Sequence, residues 1–288
     1  VSVARVFGRR LAYLLLMLTH GGAPNRAARP EWSDAHWAFW AEVRRVVVGG
    51  GLLAGALGRA ALPAARELLA EHGSALSLEH SPFGPHLALV GLARLAAPSG
   101  RRLVFDFGQT AVKHGLARHT ALRSPETGSA LAELKVWPAA PTPCGDPEAP
   151  AADEGTVRAR WAAMSALISA DWRQAGGPAP ALALSVACYL SGGHPSPAER
   201  GCYASLQSLG PNLAGFMRQA LAEPLGQTPA LALYHDGAAA ALADTGPEPA
   251  RTVVITLGTA LGSGFPPEDP AAAGLLPLAA DFRLTLAD

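Results

Sequence analysis

A chain of 288 residues is long for one compact core and sufficient for two lobes, which excludes a small stapled scaffold. Lys plus Arg and Asp plus Glu each number 23, so the formal charge is zero and nothing global attracts nucleic acid or an anionic membrane. Charged residues make up 16% against 49% hydrophobic, which excludes a charged disordered chain and a coiled coil. The three cysteines, Cys144, Cys188 and Cys202, show no C-x-x-C spacing, and their odd count argues against a disulfide framework or a zinc ribbon. A reducing, cytoplasmic compartment is the expectation.

Residues 1–20 predict a helix. Arg9 and Arg10 before the apolar run 11–18 have the form of a signal-peptide core, but the run is too short to span a bilayer. A buried helix is the preferred reading. A second helix over 34–44 follows the cap candidates Ser33 and Asp34 and carries Trp37, Phe39 and Trp40, an aromatic cluster expected in core or interface packing. Val46, Val47 and Val48 form a β-branched run ending in Gly49, Gly50 and Gly51. Leu53, Leu57, Ala61, Ala65 and Leu68 then recur at helical spacing. A strand at 75–79 and a helix at 86–97 precede Pro98-Ser99-Gly100, read as a domain boundary.

Beyond it, strands are predicted at 103–105, 111–117 and 130–137, with Asp106 closing the first and Gly108 in the turn. Residues 137–155 read as a surface connection. The spacing of Val157, Trp161, Met164, Ile168 and Trp172 marks the core stripe of a helix, and 181–187 reads as an interior strand. A helix over 213–225, a strand over 230–234 and an alanine-rich helix opening at His235-Asp236-Gly237 follow. Residues 253–256 then enter a glycine turn through 264. Strands and helices alternate, so the fold class is α/β.

Three glycine turns follow strands. VFDFGQTAVK sets a carboxylate, Asp106, at a strand end, with Gly108 and Thr110 across the turn. Such a hairpin can aim backbone N–H groups and a hydroxyl at phosphate oxygens while the carboxylate holds a hydrated magnesium ion; it is also what an ordinary hairpin looks like. VVITLGTALGSG offers the same chemistry, with Gly258 and Thr259 at the turn, and VVVGGG can let an adenine or ribose lie against bare backbone. Neither a dinucleotide fingerprint nor a P-loop is present.

DFGQT, LGTALGSG and VVVGGG resemble the phosphate-1, phosphate-2 and adenosine motifs of the superfamily of actin-like ATPases, sugar kinases and heat-shock ATPases. Within it the chain resembles the ROK family of bacterial sugar kinases, repressors and open-reading-frame proteins. The likeness runs from Leu103 to Phe265 through the PTP turn, LALSVA, SGGHPSPAERG, GPNLAGF and LYHDGAAAALA. It implies that Asn212 binds a sugar hydroxyl and that Asp236 is the catalytic base. A carboxylate at a helix start suits that role electrostatically, although Asp is also favoured there as a plain cap.

The order departs from the family, because the adenosine motif precedes phosphate-1 where the family has it last. The expected fold is therefore a circularly permuted, two-lobed actin-like (ribonuclease H-like) ATPase; a fusion of fragments would give the same string. Residues 1–97 and 250–288 would form the nucleotide-side lobe, with 98–249 the phosphate-1 and sugar lobe. The family's Glu-x-Gly-His and its Cys/His zinc motif are missing, so no zinc is expected, and His235, Gly237 and Gln109 replace usual residues. No helix-turn-helix stretch suggests a repressor.

The reading is an ATP-dependent kinase for a sugar hydroxyl. ATP and Mg2+ are its cofactors. Asp106 stands on the magnesium shell through water, and Gly108, Thr110, Gly258 and Thr259 lie around the phosphates, with Gly49, Gly50 and Gly51 near the adenosine. Lys113 is a further phosphate contact or a solvated hairpin lysine. The expected partner is a small sugar, with no nucleic acid and no membrane, and the family's frequent dimers leave a homodimer open. The alternative is a non-catalytic sugar or nucleotide sensor of the same fold.

Overall fold

The computed structural model describes residues 2–121, 129–144, 153–178, 180–191, 193–195 and 202–287. Much of the loop SGGHPSPAERG and of the connection at 137–155 lies outside them. The chain opens with α1 (Val3–His20), α2 (Ala23–Ala27), α3 (Asp34–Glu42), β1 (Arg45–Gly49), α4 (Ala56–Glu71) and β2 (Ser77–His80). Next come α5 (Leu87–Ala93), β3 (Arg101–Phe107), β4 (Ala111–Ala121), β5 (Ser129–Val136), β6 (Ala140–Pro141), α6 (Glu154–Ala175) and β7 (Ala181–Val186). The remainder is β8 (Leu190–Ser191), β9 (His194–Pro195), α7 (Leu213–Ala220), α8 (Ala222–Leu225), β10 (Leu231–His235), α9 (Asp236–Ala241), β11 (Thr252–Leu257), β12 (Leu261–Gly264) and β13 (Leu278–Leu286). This is a mixed α/β protein with both parallel and antiparallel pairings.

The chain divides into two compact units, Val1–Leu87 with Gly246–Glu268, and Ala88–Thr245 with Asp269–Asp288. The first holds a four-stranded sheet in the order β12, β11, β1, β2. β11 and β12 form an antiparallel hairpin, whereas β11, β1 and β2 run parallel. α1 begins at the Ser2 cap, stops at the left-handed Gly21, and buries Leu11, Leu15 and Leu16. It packs along α4, where Gly8 lies against the Ala61 carbonyl with no room for a Cβ. Small side chains thus let the two helices approach closely. Trp40 joins the same core with Val46, Val48, Val253 and Ile255, as core packing predicts. Among the described residues no helix is long and apolar enough to cross a membrane.

The second unit holds a sheet in the order β10, β7, β3, β4, β5, β13. β3, β4 and β5 form an antiparallel meander, and β7 and β10 continue it in parallel with β3. β7 lies inside the sheet and is buried at every position. Leu103, Phe105, Phe107, Leu182, Leu184 and Val186 pack with Val157, Met164 and Ile168 of α6 in one core. β13 pairs in parallel with β5, so 269–288 join this unit rather than the strands of β11, with which the sequence grouped 250–288.

Two buried polar arrangements tie this unit together. His114 Nδ1 lies 2.6 Å from Asp171 Oδ2 and its Nε2 lies 2.9 Å from the Pro138 carbonyl, which fixes α6 to β4. Nε2 must donate to that carbonyl, so a second proton is shared between Nδ1 and the carboxylate. Arg102 donates to the carbonyls of Leu95, Ala96 and Leu182, and burial pushes its guanidinium down to about 10.

The absence of a disulfide is corrected by the fold: Cys144 and Cys202 are joined, with Cα atoms 5.6 Å apart, and Cys188 is the buried free thiol. A separation of 58 residues carries no pairing signal in the sequence. Cys144 and Tyr203, the neighbour of Cys202, are both buried in the α6 and β3 core, where the two cysteines meet. The odd count reflects one bridge and one buried thiol, so it gives no ground for a reducing compartment.

Candidate functional site

The β3–β4 hairpin and the parallel strands beside it set one row of side chains across the second unit. Asp106 pairs in register with Lys113 on β4 and with Ser185 on β7, and Ser185 pairs in turn with Tyr234 on β10. Paired positions point to one face of a sheet, so hairpin register is what delivers the lysine to the carboxylate. Lys113 Nζ donates to Asp106 Oδ2 at 2.8 Å, and Ser185 Oγ donates to Oδ1 at 2.9 Å. Asp106 and Ser185 are buried.

Lys113 is therefore not a solvated hairpin lysine. Its ammonium is held above the ordinary lysine value, first by the charge of Asp106, against the opposing effect of burial, with a smaller contribution from Asp236. The row thus holds one carboxylate and one cation near the carboxyl end of β3, while Asp236 directly follows β10 as the first residue of α9.

Asp236 is the first residue of α9, and the cap is His235, not Asp236. The Ala238 N–H donates to His235 Nδ1 at 3.2 Å, and the Gly237 N–H donates to Asp236 Oδ1 at 2.8 Å. His235 Nε2 lies 2.9 Å from the same Oδ1, and the Tyr189 ring stacks on the imidazole at 4.1 Å. The Asp236 side chain retains 29% exposure while that of His235 keeps 8%. A carboxylate that is anchored on one oxygen and open to solvent can receive a proton from an incoming hydroxyl.

The hairpin turn is held from behind. The Gly108 carbonyl accepts from Thr142 Oγ1 at 2.9 Å and from the Tyr203 hydroxyl at 3.2 Å, while its N–H closes onto the Asp106 carbonyl at 3.0 Å. Burial keeps the Tyr203 hydroxyl protonated by raising it above its ordinary value. Thr110 stands exposed at the tip. Any anion donors of this turn are therefore the residues after Gly108.

In the first unit, Gly49 pairs with Thr256, so the VVVGGG and LGTALGSG turns lie side by side at the carboxyl ends of β1 and β11. Gly50 has φ of +102°, and a Cβ there would come within 2.5 Å of the Leu257 carbonyl oxygen, so only glycine fits. Gly258 and Thr259 are exposed, and the Gly258 N–H is engaged with the Ala260 carbonyl at 3.1 Å. Asn212 caps α7 by accepting from the Gly215 N–H at 2.8 Å through its side-chain oxygen.

Among the described residues no group of three or more His, Cys, Asp or Glu is placed to hold a metal ion. Magnesium carried by a nucleotide needs less from the protein, since it keeps several waters and takes one or two carboxylates. Each Asp106 oxygen takes one hydrogen bond and retains acceptor capacity, in a carboxylate that is buried and paired with Lys113. Lys113 and Ser185 were the parts the sequence signalled least. Ser185 is nonetheless the one polar residue in the strand 181–187. Searches of family models, of curated proteins and of solved structures return no match to this chain.

Proposed function

We propose that the chain is an ATP-dependent phosphotransferase acting on a hydroxyl of a sugar or sugar-like molecule, in a permuted two-lobed actin-like fold resembling the ROK family. The observation that carries this reading is the buried Asp106–Lys113 pair near the carboxyl end of β3, with the partly exposed Asp236 following β10 in the same sheet. Phosphoryl transfer needs positioning and charge stabilisation more than covalent chemistry; in this reading Asp106 would face the metal, Lys113 the phosphates and Asp236 the acceptor hydroxyl.

Asp236 accepts the proton as the hydroxyl O–H breaks, the new O–P bond forms and the bond from the γ-phosphorus to ADP breaks. Lys113 offsets charge on the phosphoryl oxygens. Asp106 would hold the water shell of magnesium, which supplies further positive charge to the phosphates. Asn212 would orient the acceptor through its amide nitrogen. In the first unit, Gly49, Gly50 and Gly51 would serve the adenosine, and Gly258 and Thr259 the phosphates, as the resemblance implies.

The permutation has topological support. The second unit's strands β4, β3, β7 and β10 and the first unit's β12, β11, β1 and β2 follow one plan, a hairpin extended by two parallel strands. In the second unit the hairpin precedes its parallel strands in the chain. In the first it follows them, as a permuted chain requires.

A sensor without turnover is the second reading, favoured by the engaged Gly108 and Gly258 amides and by the direct Lys113–Asp106 contact. ADP release measured with a panel of hexoses separates the two. The kinase reading expects sugar-dependent release that Asp236→Asn abolishes. Ligand-induced thermal stabilisation without release supports the sensor, and no nucleotide binding overturns both.

A further inference from the structure

The β3–β4 turn contains one peptide plane whose direction is set from behind. Thr142 Oγ1 accepts the Cys144 N–H at 3.2 Å and donates its own proton to the Gly108 carbonyl, 2.9 Å away. The Tyr203 hydroxyl donates to the same carbonyl at 3.2 Å, and the two hydroxyls touch at 3.3 Å. A carbonyl oxygen has two lone pairs, and here both have a donor. The Tyr203 ring is fully buried, and Thr142 lies two residues before Cys144 of the disulfide, so the clamp itself is anchored.

The Gly108–Gln109 bond is trans, and in a planar trans peptide the C=O and the following N–H point in opposite directions. A Gly108 carbonyl drawn toward Thr142 and Tyr203 therefore turns the Gln109 N–H away from them. Among the described residues that N–H meets no acceptor, whereas the Gly108 N–H is closed onto the Asp106 carbonyl.

From this geometry we propose that Thr142 and Tyr203 are positioning residues that aim the Gln109 N–H at a phosphate oxygen of the nucleotide, a role that rests on the phosphotransferase reading. A donor fixed before the ligand arrives need not reorient its peptide on binding. Without the clamp, the glycine before Gln109 lets that peptide rotate freely, and the N–H loses its single direction.

Thr142→Val and Tyr203→Phe keep the shape of each side chain and remove its donor. Together they are expected to weaken binding of ATP with magnesium about tenfold in calorimetric titration, the effect of one hydrogen bond to a charged group. Thr142→Ser keeps the hydroxyl and is expected to bind as the wild type does. The Gln109 amide resonance of nitrogen-15-labelled wild type gives a readout that a merely structural clamp does not move. It is expected to shift when ATP and magnesium are added and to stay in place with adenosine alone.

ATP binding by the wild type with no shift at Gln109 overturns the proposal and leaves the phosphotransferase reading standing, and that measurement needs no variant to fold. Unchanged affinity in a folded double variant overturns the positioning role. A wild type that does not bind ATP overturns both.

Discussion

The two units share a sheet plan and hold their glycine hairpins by different means. The β3–β4 turn is fixed by polar contacts: Lys113 and Ser185 on Asp106, and Thr142 and Tyr203 on the Gly108 carbonyl. The β11–β12 turn lies beside Gly50, whose backbone passes so close to Leu257 that no side chain fits. One turn is anchored by charge and hydroxyls, the other by steric closeness. Buried polar groups are costly unless partnered, so they mark where chemistry is held in place. Close backbone packing marks where a surface is kept bare.

The largest way to test this contrast is the disulfide. Cys144 donates its N–H to Thr142 Oγ1, and Cys202 directly precedes Tyr203, so the bridge sits behind both groups that hold Gly108. Opening a cross-linked loop of 58 residues costs about 4 kcal/mol in the chain-entropy description. Cys144→Ser is therefore expected to lower urea stability by about that amount, with the amide exchange protection of β3 and β4 falling and that of β1 and β11 retained. Equal losses in both sheets would break the contrast.

Asp106→Ala comes next. It strands a largely buried ammonium and a buried serine hydroxyl, and removing one partner of such a pair costs about 3 kcal/mol. The sign with pH follows from the raised Lys113. Its contribution is fully present below the ordinary value of 10.5 and is lost as pH rises through the higher folded value. The stability gap between wild type and Asp106→Ala, read by denaturant titration, should therefore narrow above about pH 10.5. A gap that widens there would mean that Lys113 is not paired in the folded protein.

These residues also show what a sequence can carry. The strands around Asp106 were readable because their apolar runs stop at glycine turns, and the α6 stripe because Val157, Met164 and Ile168 recur at helical spacing. Lys113 was ambiguous, since its contact depends on the register that sets it opposite Asp106. The disulfide and the Tyr203 clamp join segments far apart in the chain, and only the assembled core determines them. β13 was missed because its residues alternate poorly and it pairs with β5, more than a hundred positions earlier. His235 stands out in the sequence only as a replacement of a usual residue, whereas its ring caps α9 by accepting from the Ala238 N–H.

In the first unit Gly50→Ala probes the steric side of the contrast. A Cβ must avoid the Leu257 carbonyl and accept φ of +102°, at a cost of about 2 kcal/mol. Thermal unfolding should show that loss. A neutral result would mean that β1 and β11 can separate at their carboxyl ends, and the difference between the two hairpins would disappear.

Gly258→Ala gives the smallest stability effect and the sharpest functional one. A Cβ at Gly258 meets nothing within 4 Å, its φ lies outside the left-handed region, and the residue is exposed. The fold gives no reason for glycine there, so stability should change by less than about 0.5 kcal/mol. The phosphate-2 reading expects a ligand to approach the backbone at this glycine. Calorimetric titration with ATP and magnesium should then show weaker binding by Gly258→Ala, with the unfolding curve unmoved. If affinity is also unmoved, the β11–β12 turn is a bare hairpin and the nucleotide reading loses its support in the first unit, whereas a lower affinity at constant stability separates a surface kept open for phosphate from a turn that merely needs to bend.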